Sequence, residues 1–132
     1  MESKLRILIA EDNHQMREFM IGLLKTEFEV VGAVPTGREL VSRALELLPD
    51  VIVSDTSMPM LGGVTAMNEL RSAGFDIPVV LISAVFRRAG VSRHPGALVY
   101  VDKTDLEADL IPGVRCAKAG QAFLSRSIPA SE

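Results

Sequence analysis

The sequence lacks the features that mark several large classes of protein. It contains one cysteine in 132 residues, which excludes an internal disulfide and a cysteine-based zinc site. No apolar run approaches the roughly 20 residues that cross a membrane, and the chain does not open on the apolar stretch of a signal peptide. Low cysteine content fits a reducing compartment. We therefore expect a cytoplasmic protein that makes no membrane contact.

An excess of charge of either sign is also absent. The 14 Lys and Arg residues nearly balance the 17 Asp and Glu residues, for a net charge of −3, and such a chain is a poor partner for nucleic acid or anionic lipid. Hydrophobic residues make up 48% of the chain, which is a globular composition rather than a disordered one. The length fits a single domain.

Short apolar runs alternate along the chain with amphipathic segments. The five runs begin near Leu5, Phe28, Val51, Pro78 and Ala97. Each run is continuously apolar, which is typical of strands buried on both faces of a parallel sheet, and the segments between them repeat their apolar residues at helical spacing. The pattern predicts an α/β fold, a doubly wound sheet of five βα units.

The fourth predicted helix is the weakest element. Gly90, Pro95 and Gly96 lie between Ser83 and the fifth strand. Glycine and proline both oppose a regular helix. We therefore expect a short or distorted helix in this position.

Polar residues follow the predicted strands where a ligand would bind, beyond the carboxyl ends of a parallel sheet. Glu11 and Asp12 follow the first strand, Asp55 ends the third, Ser83 ends the fourth and Lys103 follows the fifth. Three adjacent carboxylates repel one another, and a hard divalent cation such as Mg²⁺ or Mn²⁺ would relieve that repulsion. An ammonium and a hydroxyl beside them would suit a phosphoryl group.

Each of these residues is ordinary when it is taken alone. A carboxylate at a strand end is more often a solvated loop residue or a helix cap than a ligand. The joint placement at four strand ends is what favours a site. Neither glycine-rich phosphate-binding motif occurs in the sequence.

The same residues carry a resemblance to a known family. As a set they resemble the receiver domain of bacterial two-component response regulators, over residues 4 to about 121. The resemblance implies a flavodoxin-like (βα)5 sandwich with parallel strand order 2-1-3-4-5, with a receiver domain over residues 1–121 and a tail or linker over 122–132. The matching residues are Glu11-Asp12, Asp55-Thr56-Ser57-Met58-Pro59, Gly62 or Gly63, Ser83-Ala84, Gly96-Ala97, Tyr100 and Lys103.

The resemblance also implies a chemistry for the carboxylates. Asp55 would be the phosphoacceptor and would take a phosphoryl group from a phosphohistidine of a sensor histidine kinase. Asp12, Asp55 and the backbone carbonyl of Ser57 would bind Mg²⁺ directly, and Glu11 would act through a water of the metal. The protein would then catalyse only its own phosphorylation and slow dephosphorylation, and would not be an enzyme for an external substrate.

The remaining residues would form a switch. Lys103 would pair with the phosphoryl oxygens, Ser83 would hydrogen-bond the phosphoryl group and shift toward it, and Tyr100 would turn inward behind it. These movements would alter the surface formed by helix four, strand five and helix five. Tyr100 equally fits a second interpretation, a strand-end aromatic residue whose hydroxyl lies in water.

The end of the chain suggests a subfamily. Residues Gly120 to Ser125 resemble the junction between receiver and linker in the NarL/FixJ type, whose members usually continue into a helix-turn-helix domain. No such domain follows in this chain, so we expect control of transcription, and contact with DNA, only through an output domain that this chain lacks. A phosphorylation-dependent homodimer is compatible with this reading, although the irregular fourth helix puts its usual mode in doubt.

Two other functions remain open at this point. The first is a protein-interaction module of the same fold whose output does not depend on phosphorylation. The second is a Mg²⁺-dependent phosphatase on a similar sheet. Such enzymes carry a second Asp two residues after the nucleophile, where this sequence has Ser57.

Overall fold

A single parallel sheet with helices on both faces forms the protein. The structure, a computed structural model, describes residues 3–129, apart from the side chain of Arg87. The strands are β1 (Arg6–Ala10), β2 (Glu29–Val34), β3 (Val51–Asp55), β4 (Val79–Ser83), β5 (Ala97–Asp102) and β6 (Phe123–Leu124). The helices are α1 (His14–Leu24), α2 (Gly37–Leu47), α3 (Gly63–Ser72), α4 (Phe86–Ala89) and α5 (Leu106–Ala119), and a 3-10 turn spans Lys103–Asp105.

The strands lie in the order β2-β1-β3-β4-β5-β6, and all neighbours are parallel. The predicted order 2-1-3-4-5 is confirmed, and β6 extends the sheet beyond β5. The resemblance implied a tail or linker over residues 122–132. The structure instead packs residues 123–128 of that tail against the sheet, and residues 130–132 lie outside the described part of the chain.

Each face of the sheet carries its own apolar core. On one face the strands pack against α1 and α5, and on the other against α2 and α3. Every residue of β3 and β4 is buried, as the continuous apolar runs predict for central strands covered on both sides. The flavodoxin-like α/β fold is therefore confirmed.

Capping residues fix the starts of two helices next to the carboxyl ends of the strands. The Asn13 side chain accepts a hydrogen bond from the Met16 N–H at 2.8 Å and begins α1. The Thr36 hydroxyl accepts one from the Glu39 N–H at 3.1 Å and begins α2. Both helices therefore start at the edge of the sheet where the predicted site lies.

The α4 region is irregular, as expected. Helix α4 has four residues and no side-chain cap, and it ends at Gly90, whose φ is +74°. The pairing of β4 with β5 shifts register at the start of both strands. Val79 pairs with Ala97, but the next residue, Val80, pairs with Val99. The residue between them, Leu98, is consequently 45% exposed.

The longest helix, α5, has 14 residues. Within residues 3–129 we find no helix with both the length and the apolar character needed to cross a membrane.

Candidate functional site

Three carboxylates gather at the carboxyl edge of the sheet. Glu11 follows β1 and is fully buried, Asp55 ends β3 and is 5% exposed, and Asp12 is exposed in the loop before α1. Strands β1 and β3 are direct neighbours, so the residues that follow them meet side by side. One oxygen from each carboxylate lies within 4.8 Å of the others.

Lys103 closes the cluster from the turn after β5. Its Nζ lies 2.5 Å from Asp55 Oδ2 and 2.9 Å from Glu11 Oε1, and its side chain is mostly buried. One ammonium thus faces two buried carboxylates, while the exposed Asp12 completes a group that carries an excess of negative charge. The structure brings together all four of the charged residues that the sequence assigned to the site.

Burial sets the protonation behaviour of Glu11. Loss of hydration raises the pKa of its carboxyl, and the Lys103 ammonium and the Asn13 N–H, which donates to Oε2 at 3.0 Å, offset only part of that effect. Glu11 Oε1 is buried and has no hydrogen bond beyond its ion pair with Lys103. A buried carboxylate oxygen with spare acceptor capacity, next to two further carboxylates, fits a hard divalent cation.

Lys103 is held in its charged form. Burial by itself lowers the pKa of the ammonium, but hydrogen bonds and Coulombic attraction from Asp55 and Glu11 outweigh burial and raise it. A fixed positive charge therefore lies against the Asp55 carboxylate.

The backbone around Asp55 is held by close packing. Asp55 Oδ1 accepts the Ser57 N–H at 3.0 Å, and the Ser54 hydroxyl donates to the Asp55 carbonyl at 2.9 Å. Gly63, at the start of α3, lies so close that a Cβ there would come within 2.2 Å of the Asp55 carbonyl oxygen. Glycine at position 63 is thus needed for α3 to begin directly against Asp55.

A second glycine supports the loop between β3 and α3 from the other side. A Cβ on Gly37, the first residue of α2, would lie 1.9 Å from the Leu61 carbonyl oxygen. The loop is therefore held between the starts of α2 and α3. Met60, within this loop, has a φ of +68° and is 70% exposed at the rim of the site.

Ser83 lies at the end of β4 and is buried. Its hydroxyl accepts the Val85 N–H at 3.2 Å, which leaves the hydroxyl hydrogen to donate to another group. Ser83 also borders a cavity of about 280 Å³ under α4, which Phe86, His94 and Tyr100 line on the far side.

Tyr100 is already turned inward and is 1% exposed. Its hydroxyl donates to the Ala97 carbonyl at 3.1 Å and accepts the His94 N–H at 2.9 Å, and its ring meets Phe86 edge-on with centroids 5.8 Å apart. The interpretation that placed its hydroxyl in water is therefore wrong. A switching role for Tyr100 stays a prediction.

The turn that carries Lys103 has its own anchor. The buried Asp102 accepts hydrogen bonds through Oδ1 from the Thr104 N–H at 3.0 Å and from the Thr104 hydroxyl at 2.7 Å. The Asp102 N–H in turn donates to the Ser125 hydroxyl oxygen at 3.2 Å. These bonds fix the exit of β5 and hence the start of the lysine side chain.

Sequence reasoning missed several residues that position the site. Asn13 holds Glu11 through its backbone N–H, and its spacing before Met16, which is typical of a helix cap, could have revealed it. Arg17 donates to the Glu11 carbonyl at 2.8 Å, and Ser125 contacts Asp102 from a segment interpreted as a tail. No local pattern marks either of these two residues.

Comparison with known proteins assigns the family. Residues 7–112 match the family described as "Response regulator receiver domain", and the chain belongs to that family.

The relatives show how widely the family is used. The chain is 36% identical over 109 residues to a protein-glutamate methylesterase/protein-glutamine glutaminase 2 of Carboxydothermus hydrogenoformans, covering 78% of this chain and 30% of that protein. It is 30% identical over 128 residues to the response regulator GacA of Pseudomonas viridiflava, covering 94% and 60% respectively. The chain thus spans between about a third and three-fifths of the length of these relatives, and they do not agree on one subfamily.

The fold is also similar to those of solved receiver domains. The signal receiver domain of the response regulator NarL from Mycobacterium tuberculosis superposes with a TM-score of 0.78 at 24% identity, over 91% of this chain and all of that one. At this identity the likeness supports the fold alone.

Proposed function

We propose that this chain is a phosphoacceptor domain that takes a phosphoryl group onto Asp55 from a phosphohistidine of a sensor histidine kinase. One observation carries the proposal. Lys103 Nζ lies 2.5 Å from Asp55 Oδ2 beside a cluster of three carboxylates. This pairing places a nucleophilic carboxylate, a fixed cation and a cation-binding set at one point of the sheet edge.

In the proposed reaction an Asp55 carboxylate oxygen attacks phosphorus. The bond from phosphorus to the donor nitrogen breaks, the leaving imidazole keeps the electron pair and is protonated, and an acyl phosphate forms on Asp55. Such a transfer depends mostly on positioning and charge neutralisation. Hydrogen bonding from the Ser57 N–H and the ion pair with Lys103 hold the two Asp55 oxygens, so the nucleophile is positioned before the donor arrives.

Glu11, Asp12, Asp55 and the backbone carbonyl of Ser57 would hold Mg²⁺. When bound, the ion supplies positive charge to the phosphoryl oxygens. One ammonium cannot neutralise three carboxylates, and the ion would also offset the repulsion that remains among them. Lys103 stays within reach to pair with a phosphoryl oxygen, and the free hydroxyl hydrogen of Ser83 suits donation to the same group.

The wider role follows from this chemistry as part of the same proposal. The phosphorylated receiver domain, residues 1–121, would control an output, with transcription through a separate DNA-binding domain of NarL/FixJ type as the favoured case. It would work in the cytoplasm, and a phosphorylation-dependent homodimer would be one means of output. The activity named for the methylesterase relative is not proposed here, since the chain spans 30% of that protein.

Intact mass after incubation with acetyl phosphate and Mg²⁺ tests the proposal. We expect one added phosphoryl group, lost on treatment with hydroxylamine, which cleaves acyl phosphates. Asp55→Asn should remove the adduct. Asp76→Asn, a matched change at an exposed aspartate before β4, should leave it in place.

Two outcomes would contradict the proposal. An adduct that persists in Asp55→Asn would mean that another residue is modified. No adduct in any variant, together with no binding of beryllofluoride, a stable mimic of the phosphoryl group, would favour the phosphorylation-independent interaction module instead.

A further inference from the structure

The C-terminal strap, residues 121–128, is built into the sheet rather than trailing from it. It leaves α5 at Gly120, whose φ of +72° turns the chain back. Phe123 then packs into the core beneath α1 and α5, while Leu124 and Ile128 pack into the core on the opposite face. Ser125 and Ile128 are 1% and 5% exposed. The strap therefore covers the outer edge of β5.

Three polar contacts of the strap fall on the segment that surrounds Lys103. The Ser125 N–H donates to the Tyr100 carbonyl at 3.1 Å, and the Asp102 N–H donates to the Ser125 hydroxyl oxygen at 3.2 Å. The Ser127 hydroxyl donates to the Asp105 carboxylate. These contacts reach both the switch position and the turn that aims the lysine.

One backbone pairing and one hydrogen bond to a side chain link the site to the strap. Ser83 at the end of β4 pairs with Asp102 on β5, and Asp102 donates to Ser125 in the strap. One strand thus separates the hydroxyl proposed to meet the phosphoryl group from the strap. No intervening loop is needed to carry a displacement along this path.

We propose that the strap is an output element of the switch, and that its pairing with β5 weakens when the phosphoryl group is bound. The proposal rests on the proposed function of Asp55. A phosphoryl group bonded to Asp55 Oδ2 would take up the space where Lys103 Nζ now lies 2.5 Å from that oxygen. The ammonium therefore moves, and it pulls on the turn that carries the strap contacts.

The strap is the element that such a pull affects first. Its β-pairing covers two residues, and such short pairings open with little free energy. Helix α4 is the other element that could respond. It is a single turn that ends at Gly90, and the loop after it is hydrogen-bonded to the Tyr100 hydroxyl. The strap, by contrast, is hydrogen-bonded directly to Tyr100 and Asp102 of β5.

Thermodynamic linkage makes the proposal testable in both directions. If phosphoryl binding loosens the strap, then loosening the strap must strengthen phosphoryl binding by the same factor. If the strap only stabilises the fold, phosphoryl binding would not loosen it, and loosening it would not strengthen phosphoryl binding.

The experiment uses the full chain and hydrogen exchange at three backbone amides followed by NMR. The Asp102 N–H donates to the strap, the Ser125 N–H donates from the strap to β5, and the Ile128 N–H donates within the strap. We expect Mg²⁺ with beryllofluoride to speed their exchange about tenfold or more relative to the amides of β3. Unchanged or slower exchange in a protein that binds beryllofluoride would overturn the inference and leave the proposed function intact.

Variants test the reverse direction. Ser125→Ala removes the acceptor for the Asp102 N–H, and Ile128→Ala removes the apolar anchor at the far end of the strap. Each should bind beryllofluoride about fivefold or more tightly than the parent, which is the lower range of typical coupling. Arg126→Ala, an exposed change in the same turn, should leave affinity unchanged.

The remaining outcomes are also decisive. Equal affinity in folded Ser125→Ala and in Ile128→Ala, with far-ultraviolet circular dichroism confirming the fold, would overturn the inference. Failure of the parent to bind beryllofluoride, with no adduct on Asp55, would overturn the proposed function and this inference with it.

Discussion

The two halves of the site are held together by different forces. On the β1 and β3 side, Glu11, Asp55 and Lys103 form buried ion pairs at 2.5 and 2.9 Å. On the β4 and β5 side, one neutral hydrogen bond holds the Ser83 hydroxyl and two hold the Tyr100 hydroxyl, at 2.9 to 3.2 Å, next to a one-turn helix. Charged interactions in a buried setting are strong and costly to break, whereas neutral ones contribute less each. The charged half suits the phosphoryl chemistry, and the neutral half has the bonds that cost less to rearrange.

Removal of the lysine should have the largest effect on stability. Lys103→Met keeps the apolar stem but leaves Glu11 and Asp55 without their cation, and loss of one partner from a buried pair costs about 3 kcal/mol. We expect urea unfolding in EDTA to show that loss. A change below about 1 kcal/mol would mean that the pair behaves as a surface ion pair.

The same variant should depend on pH with a definite sign. Burial raises the pKa of Glu11 in the folded state, so its protonated form is favoured by folding and stability is lost as pH rises through that pKa. Lys103→Met removes the ammonium that offsets part of the rise in the Glu11 pKa. The stability gap between variant and parent should therefore be larger at pH 8 than at pH 5, and a gap that shrinks at pH 8 would contradict this assignment.

A change beside Asp55 tests the rigidity of the charged half without altering charge. Gly63→Ala would place a Cβ 2.2 Å from the Asp55 carbonyl oxygen, and overpacking of this kind costs about 2 kcal/mol. We expect that loss in urea unfolding, together with slower phosphorylation. Gly22→Ala is the control, since a Cβ at residue 22 meets nothing within 4 Å.

A change in the neutral half should cost less. Tyr100→Phe removes one hydrogen bond to the Ala97 carbonyl and one from the His94 N–H, for a loss of about 1 kcal/mol. Urea unfolding measures the loss. A cost equal to that of Lys103→Met would remove the distinction between the two halves.

The exposed carboxylate should affect binding and not stability. Asp12→Asn in EDTA should shift the free energy of unfolding by less than about 0.5 kcal/mol, because the side chain lies in water. Its Mg²⁺ affinity, measured by calorimetry, should fall about tenfold or more, since affinity follows the charge of the ligand set. An unchanged affinity would exclude Asp12 as a ligand.

The sequence was most informative where one feature decides the structure locally. Continuous apolar runs predicted the buried strands, and the resemblance to the receiver family implied their order. The convergence of Glu11, Asp12, Asp55 and Lys103 followed from the rule that parallel strands end at one edge.

What escaped the sequence depends on contacts between distant segments. Ser125 meets Asp102 across 23 positions, and the inward pose of Tyr100 depends on the backbone of His94 and on the Phe86 ring. Neither spacing nor composition encodes such pairings. The same is true of Gly63, whose need for a missing Cβ becomes visible only when α3 lies against Asp55.

The two-residue strand β6 has a consequence for solubility. A sheet that ended at β5 would present the Tyr100 carbonyl and the Asp102 N–H as unpaired edge groups, and open strand edges invite pairing with other chains. The described strap covers the first group with the Ser125 N–H and the second with the Ser125 hydroxyl oxygen. Any condition that detaches the strap would expose the edge of β5 to pairing with other chains. The eight residues of the strap therefore protect the protein against aggregation as long as they stay paired.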